Sequence, residues 1–493
     1  GCPLKSGLAE DGVVVRFREL ANHPLMMVNR NELLKGKDPT HVKEKMSRRT
    51  FETPDLLDET GKTIVVQNIQ RDGSAVDQFF PTMMKTRINY SESDRGYSVY
   101  DLFADETKLK KLVTISRKCL KRDSFYYFSQ TVEKNSDKEL FNVSTFEEWK
   151  AAWERNPPKG YGYWVDVRKQ SKMDLSTGYN QVEVSKQLSF ETPEHPNKVC
   201  FVRVYRLGQK LFPHAFKAFR IGDIQIAVNF PPMTAKYLYQ KYTEHIKGQD
   251  TIYVYDSSSG WGGRILGAMA YLRDGVRLHY IGNDPNTDNY LASEGKTRYE
   301  ILANFFNQNV KENRMSVIMG SEPVNTFEVF RQGSETIHEN PEFQKYHGKL
   351  DFVFTSPPYF NREAYSEDDS QSYKKFGSYE SWKEGFLRQT LATAYDYLKR
   401  DRYLVWNIAD VLVGKNKDGT NKYLPLEQDT IEIMKSLGAE YLGTNKLALM
   451  NMPGQNRIKE DGTPNTRCFA RIMNTKGVEE WIKTEPILVF RKP

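Results

Sequence analysis

The chain has 493 residues, 39% hydrophobic and 27% charged, with a net charge of +7. That length suits two or three domain-sized units whose core needs no disulfide or metal staple. The composition excludes a disordered chain, and no apolar run approaches the ~18 residues that span a bilayer. Four cysteines stand alone at Cys2, Cys119, Cys200 and Cys468, so zinc-ribbon and dithiol sites are not expected. Eight histidines lack an H-E-x-x-H spacing, and no metal centre is expected. Scattered cysteines and the lack of an apolar leader in Gly1–Asp11 suit a reducing cytoplasm.

Residues 1–190 read as an irregular, polar, mixed α/β N-terminal region, a candidate recognition or accessory domain. Two segments there carry helical patterns, Glu106–Arg122 and Thr145–Arg155. The first is basic on one face, which suits either phosphate contact or plain solvation. Asn156–Gly160 reads as a turn or linker. From His195 to Gly222 the chain carries Lys198, Arg203, Arg206, Lys210, Lys217 and Arg220 and no acid. Phe201, Tyr205, Phe212, Phe216 and Phe219 lie among them. Basic residues interleaved with aromatics suit a surface that meets phosphates and bases; the alternative is a sheet whose aromatics are core.

Residues 191–493 form the second predicted domain. After Gly222, short β-branched runs alternate with amphipathic segments. Strands are expected at Thr251–Tyr255, Leu278–Gly282, Ser316–Met319, Leu350–Phe354, Tyr403–Ile408, Tyr441–Leu449 and Pro486–Phe490. Helices are expected at Arg264–Leu272, Asp288–Phe306, Tyr379–Leu398 and Glu427–Leu437. This alternation predicts a mostly parallel, helix-covered sheet whose ligands sit at the carboxyl ends of the strands.

The residues just past each strand are therefore informative. Strand one runs into Asp256-Ser-Ser-Ser-Gly260-Trp-Gly262, an acid then glycines then a helix, as nucleotide-binding turns have. A tight small-residue turn would look similar. Strand two ends at Asp284, placed to accept from two ribose hydroxyls or to cap the next helix. Strand three ends at Ser321 and Glu322, a polar tip within reach of an adenine ring. Strand four ends in Thr355-Ser356-Pro357-Pro358-Tyr359-Phe360. The two prolines fix the loop and turn its carbonyls into free acceptors. With the Ser356 hydroxyl and the Tyr359 ring, that loop suits a planar base bearing an amino group.

These motifs together resemble the S-adenosylmethionine-dependent DNA amino-methyltransferases, over roughly Phe230–Pro493. The resemblance implies an α/β, Rossmann-like class I methyltransferase fold with a mostly parallel seven-stranded sheet. It implies S-adenosyl-L-methionine as cofactor, held by Asp256, Ser258, Gly260, Gly262, Asp284, Ser321 and Thr355. Ser356, Pro357, Pro358 and Tyr359 match the catalytic motif, and Glu485–Lys492 looks like the closing strand. Asn229-Phe-Pro-Pro232 looks like the segment leading into the methionine end of the site. Serines stand at 258 and 259 where the family usually carries Phe, so adenine stacking must come from elsewhere. No long insertion separates the motifs. Base-sequence reading is therefore looked for in the N-terminal half, or in the loops Asn361–Ser378 and Met450–Arg467.

The implied reaction transfers a methyl group to the amino group of a base flipped out of duplex DNA. Phe360 would help hold that base, and Arg203, Arg206 and Lys210 would contact DNA. Ser356 favours cytosine N4 over adenine N6. Asp410 reads either as an acid assisting proton loss or as a turn residue. An RNA amino-methyltransferase and a non-catalytic DNA-binding relative remain alternatives on the same fold. A bacterial or phage-encoded protein of restriction-modification type fits this reading.

Overall fold

The computed structural model describes residues 10–22, 54–57, 61, 64–67, 73–88, 98, 100–101, 164–166, 181–190, 199–207, 227–310, 324–366, 368–419, 421–449, 470–473 and 479–493. The chain divides into two compact units, one made of 1–96 with 227–493 and the other of 97–226. This differs from the expected boundary after residue 190. The physical reason is that residues 65–67 hydrogen-bond into the large sheet and much of 73–88 is buried.

The second unit contains the strands Trp164–Asp166, Gln181–Phe190 and Val199–Leu207, in one antiparallel sheet with 199–207 in the middle. The predicted helices Glu106–Arg122 and Thr145–Arg155 and the turn Asn156–Gly160 lie outside the described residues.

The first unit is built, among the described residues, on a nine-stranded sheet. Its strands are β1 (Val65–Gln67), β2 (Thr251–Asp256), β3 (Arg277–Asn283), β4 (Thr326–Phe330), β5 (Leu350–Thr355), β6 (Leu398–Asn407), β7 (Glu440–Leu449), β8 (Ala470–Met473) and β9 (Glu479–Lys492). The order is β1-β7-β9-β6-β5-β2-β3-β4, with β8 on β9. All pairs are parallel except those of β9, which runs antiparallel to β6, β7 and β8. The run β4-β3-β2-β5-β6-β9-β7 is the mostly parallel, seven-stranded Rossmann-like sheet of the class I methyltransferase fold. β1 and β8 are additions to it.

Helices cover both faces. They include α1 (Glu10–Asn22), α2 (Pro232–Thr243), α3 (Gly263–Met269), α4 (Arg298–Asn309), α5 (Arg388–Tyr397) and α6 (Leu426–Ser436). β5 shows why its sequence is largely apolar: all six residues are buried, as a parallel strand covered on both sides requires. Phe352 and Phe354 meet Tyr239 of α2 on one face. Val353 faces the core formed with Leu391 of α5 and Met434 of α6. Among the described residues no helix is long and apolar enough to cross a membrane.

One expected element lies outside the described residues and one moved. The third strand is Thr326–Phe330, whereas Ser316–Met319 lies outside the described residues. The helix expected from Asp288 begins at Arg298, because Thr297 and Glu300 form a reciprocal capping box. Residues 287–297 form a short 3-10 turn and a two-stranded hairpin instead.

Candidate active site

The chain leaves β2 for β3 and β4 on one side, then crosses to β5 on the other. The crevice between β2 and β5 is thus the switch point where ligands of such sheets bind. Asp256 ends β2 with none of its surface exposed. Its Oδ2 accepts from Arg264 Nε of α3 at 2.8 Å and from the Tyr280 hydroxyl of β3 at 2.7 Å. Its Oδ1 accepts from Thr355 Oγ1 of β5 at 2.7 Å and from the Ser258 backbone N–H at 3.2 Å. Burial works against the Arg264 charge, but Asp256 outweighs it and holds the guanidinium ionised. Asp256 and Thr355 therefore align three strand ends and a helix rather than presenting free atoms to a ligand. Ser258 contributes its carbonyl, which accepts from Arg264.

The glycine loop comes next. Gly260 and Gly262 have φ of 60° and 81°, the left-handed region that favours glycine. A Cβ at Gly262 would strike the Phe80 ring and come within 2.7 Å of Leu302 Cδ2. At Gly263 it would strike the Phe230 carbonyl and lie 2.7 Å from Asn229 Oδ1. The chain's own packing thus demands glycine at 262 and 263. Asn229 Nδ2 donates to the Trp261 carbonyl at 2.7 Å, and Asn229 Oδ1 accepts from the Gly263 N–H at 3.2 Å. The segment Asn229–Pro232 is therefore stapled to the loop. Ser257 stands between Asp256 and the loop with a buried hydroxyl that has no partner among the described residues.

A wall of the site comes from residues 73–88, although 1–190 read from sequence as a separate region. Phe80 packs on Tyr299 with ring centroids 5.1 Å apart. Thr82 Oγ1 donates to Asn289 Oδ1 at 2.7 Å, and Lys85 pairs with Asp288 at 2.6 Å. Arg87 and Ile88 pair antiparallel with Ala364 and Glu363. The loop 361–375 closes over the same end of the sheet. Tyr365 packs near Trp261 at 5.4 Å, Thr287 donates to Asp368 at 2.6 Å, and the Ser370 hydroxyl donates to the Pro285 carbonyl at 3.3 Å.

Asp284 lies just past β3. Its Oδ2 accepts from the Gly260 N–H at 3.1 Å and from Tyr299 Oη at 3.0 Å. Its Oδ1 accepts from the Asn286 N–H at 2.8 Å. It is not the cap of α4, a role that Thr297 takes. Tyr299 has one hydroxyl proton and two acceptors, Asp284 and the Gly260 carbonyl. If it turns to Gly260, Asp284 keeps an open lone pair on each oxygen, enough for two hydroxyl donors. Burial pushes the Asp284 carboxyl up to about 6, with the bonds from Asn286, Tyr299 and Gly260 limiting the rise.

The loop after β5 holds Ser356, Pro357, Pro358 and Tyr359. Ser356 and Tyr359 are half-buried, Pro357 is buried and Pro358 half-buried. Tyr359 Oη lies 3.3 Å from the Asn407 carbonyl at the end of β6 and can donate to it. Burial pushes the Tyr359 hydroxyl well above its usual range, with the Glu485 charge adding to the rise and the nearby Ser356 side chain opposing it. Phe360 does not fit the expected base-holding role. It is 8% exposed, has a φ of 55°, and packs on Trp382 and Tyr379 at 5.7 and 5.8 Å. The turn sends its ring into the core.

Two carboxylates stand here that the sequence reading did not single out, Glu363 and Glu485. Burial pushes the Glu363 carboxyl up, while Tyr365, donating at 2.5 Å, and Arg362 restrain it. Asp410, the acid considered from sequence, instead accepts from the Glu427 N–H at 3.0 Å and anchors the start of α6. Ser321, Lys210 and the loop Met450–Arg467 lie outside the described residues. The tip after β4 is Arg331, whose guanidinium lies 3.6 Å over the Tyr290 ring. Arg203 and Arg206 lie on the central strand of the second unit, paired by register with Lys186 and Val182.

Among solved structures, the chain is similar to a candidate DNA modification methylase from Thermus thermophilus in complex with S-adenosyl-L-methionine. That match has 19% identity and a TM-score of 0.20, over 33% of this chain and 54% of that one. A SAM-dependent methyltransferase from Methanosarcina mazei matches at 10% identity and TM-score 0.24, over 52% and 96% of the two chains. A SAM-dependent O-methyltransferase from Thermotoga maritima matches at 9% identity and TM-score 0.24, over 62% and 77%. The chain spans about half the length of the Thermus protein. No family model matches the sequence, and no curated protein matches it.

Proposed function

We propose that this chain is an S-adenosyl-L-methionine-dependent methyltransferase acting on the exocyclic amino group of a base in DNA, cytosine N4 before adenine N6. One observation carries the reading. The Thr355–Asp256 hydrogen bond holds the Ser356-Pro-Pro-Tyr359 loop and the glycine loop at the two edges of one switch-point crevice. An acceptor-rich loop for an amine thus stands beside a pocket suited to a nucleoside.

The residues present fit the cofactor. The Ser257 hydroxyl, buried and without a partner among the described residues, suits a hydrogen bond to a ligand. Asp284 keeps lone pairs suited to ribose hydroxyls once Tyr299 turns to the Gly260 carbonyl. Bound there, S-adenosyl-L-methionine supplies an electrophilic methyl group. The chain's own part is to hold the amine. Ser356 Oγ and the Pro357 carbonyl accept its two N–H bonds, which localises the nitrogen lone pair for attack. The Tyr359 ring stacks on the base, and the rigid prolines keep these acceptors in place. Ser356 in the first motif position favours cytosine, by the resemblance to the family. The basic central strand of the unit 97–226, with Arg203 and Arg206, is assigned to DNA contact, together with Lys210.

Isotope-labelled S-adenosyl-L-methionine, unmodified genomic DNA and nucleoside mass spectrometry test the reading. Labelled N4-methyldeoxycytidine is the expected product. Labelled N6-methyldeoxyadenosine would keep the reaction and remove Ser356 as the base selector. Label in RNA alone would change the substrate, and no label at all would remove the activity.

A further inference from the structure

Methylation of an amino group leaves one proton on nitrogen to be removed. We propose that Ser356, Tyr359 and Glu485 form a relay that carries this proton from the nitrogen to the Glu485 carboxylate. The relay rests on the amino-methyltransferase reading and deepens it.

The placement comes from the sheet. β9 runs antiparallel to β6, and Ile487 lies opposite Asn407, where β6 ends. The residues before Ile487 in β9 therefore extend past that carboxyl end, on the side of the crevice. Asn407 ties both parts together. Its side chain donates to the Pro486 carbonyl at 3.0 Å, and its carbonyl lies 3.3 Å from the Tyr359 hydroxyl. Glu485 is the residue next to Pro486, half-buried, and near enough to Tyr359 for its charge to raise the hydroxyl's pKa.

The donors point one way. Tyr359 has one hydroxyl proton; the Asn407 carbonyl lies 3.3 Å from its oxygen, and the Glu485 carboxylate stands close by as the competing acceptor. A carboxylate is the stronger acceptor, so the proton goes to Glu485. That leaves the Tyr359 oxygen to accept from Ser356. Ser356 in turn keeps lone pairs facing the crevice for the amine. The reaction then balances. The amino nitrogen gains a bond to the methyl carbon, the carbon–sulfur bond breaks with its electron pair on sulfur, and an N–H proton moves to Ser356 Oγ. The Ser356 proton moves to Tyr359 Oη, and the Tyr359 proton to Glu485, which releases it to water. Burial and the Glu485 charge hold the Tyr359 hydroxyl neutral, well above its usual range, as a proton carrier needs. Among the described residues, the other titratable groups facing this cluster include Glu363, Arg362 and Tyr365.

The test uses the full chain with Glu485→Gln and Tyr359→Phe. The glutamine amide oxygen still accepts from Tyr359, so E485Q removes the base and keeps the shape. Expected is a loss of about 10²-fold in single-turnover methyl transfer for E485Q, with the acid limb of the wild-type pH profile gone. Binding of a duplex carrying 2-aminopurine at the target base, read by fluorescence, stays within about twofold, since general-base loss spares ground-state binding. The double variant is no slower than the slower single one, as members of one relay are not additive. The infrared difference between wild type and E485Q at pH ~7.5 shows a carboxylate band, as a group that is to accept the proton requires. Wild-type rate and pH profile in E485Q, multiplicative losses in the double variant, or a protonated Glu485 in that spectrum would each overturn the relay. No transfer by the wild type would instead overturn the methyltransferase reading and the relay with it.

Discussion

Thr355 Oγ1 lies 2.7 Å from Asp256 Oδ1, joining the last residues of two neighbouring strands. With Arg264 and Tyr280 on the other oxygen, one buried carboxylate sets the register of β2, β3, β5 and α3 at the crevice. Ser257, Ser356 and Asp284, the groups proposed to meet cofactor and base, each sit one residue beyond a strand held this way. Rigidity of the strand ends is thereby passed to the loops that follow them.

Ser356→Ala removes one of two acceptors for the amine. Single-turnover methyl transfer should fall by about 10²-fold or more. Calorimetric cofactor affinity should stay within about twofold, because the hydroxyl serves the base and not the cofactor. Equal rates would remove Ser356 from the reaction.

Asp284 titrates near 6 in the free chain, raised by burial, so cofactor affinity should fall as pH drops through about 6. The limiting slope is about tenfold per pH unit if the ionised form alone binds. The stability of the free chain responds with the opposite sign. A carboxyl raised above its unfolded value binds protons more readily when folded, so its contribution grows as pH falls from about 6 toward ~4. Tyr299→Phe deletes a bond that stabilises the carboxylate and should move the binding midpoint upward. A titration of dissociation constants from pH ~5 to ~8, bracketing that midpoint, checks both. A midpoint that stays put in Tyr299→Phe would contradict the coupling.

Gly262→Ala drives a methyl group into Phe80 and Leu302 at a φ of 81°. Overpacking and the left-handed backbone together should cost about 2–4 kcal/mol in urea unfolding. Phe80→Leu in the same chain should recover part of this, giving a coupling of at least ~1 kcal/mol. Additive losses would place Phe80 away from the glycine loop.

Replacing Arg203, Arg206 and Lys210 together by Gln should lower the salt dependence of DNA binding by up to about three units of slope. Each single substitution should remove about one unit, if each cation meets its own phosphate. An unchanged slope in the triple variant would return the strand to a purely structural role.

Strand β5 and its proline loop are legible in the sequence because the evidence is local. A fully buried apolar run ends in residues with fixed backbone and free acceptors. β4 is harder to place, because Thr-Phe-Glu-Val-Phe is a half-exposed edge strand with a charge at its centre, a weaker signal than the apolar run Ser316–Met319. The start of α4 has a readable mark in Thr297-x-x-Glu300, which the acid at Asp288 overshadows. Phe80, Tyr299 and Glu485 carry no motif of their own. Their places become clear only when distant segments meet at Gly262, Asp284 and Tyr359, and no spacing rule encodes such a meeting. Glu485 beside a proline at the head of a closing strand is the nearest thing to a sequence signal.

The position of β9 bears on how the molecule comes into being. This strand lies between β6 and β7, yet comes after both in the chain. A growing polypeptide therefore carries an open slot in the middle of its sheet until residues 479–492 leave the ribosome. Both flanking strands present unpaired edges during that interval, the state in which chains aggregate or recruit chaperones. The same insertion delivers Glu485. On the proposed relay, the nascent chain lacks its terminal base until the step that closes the fold.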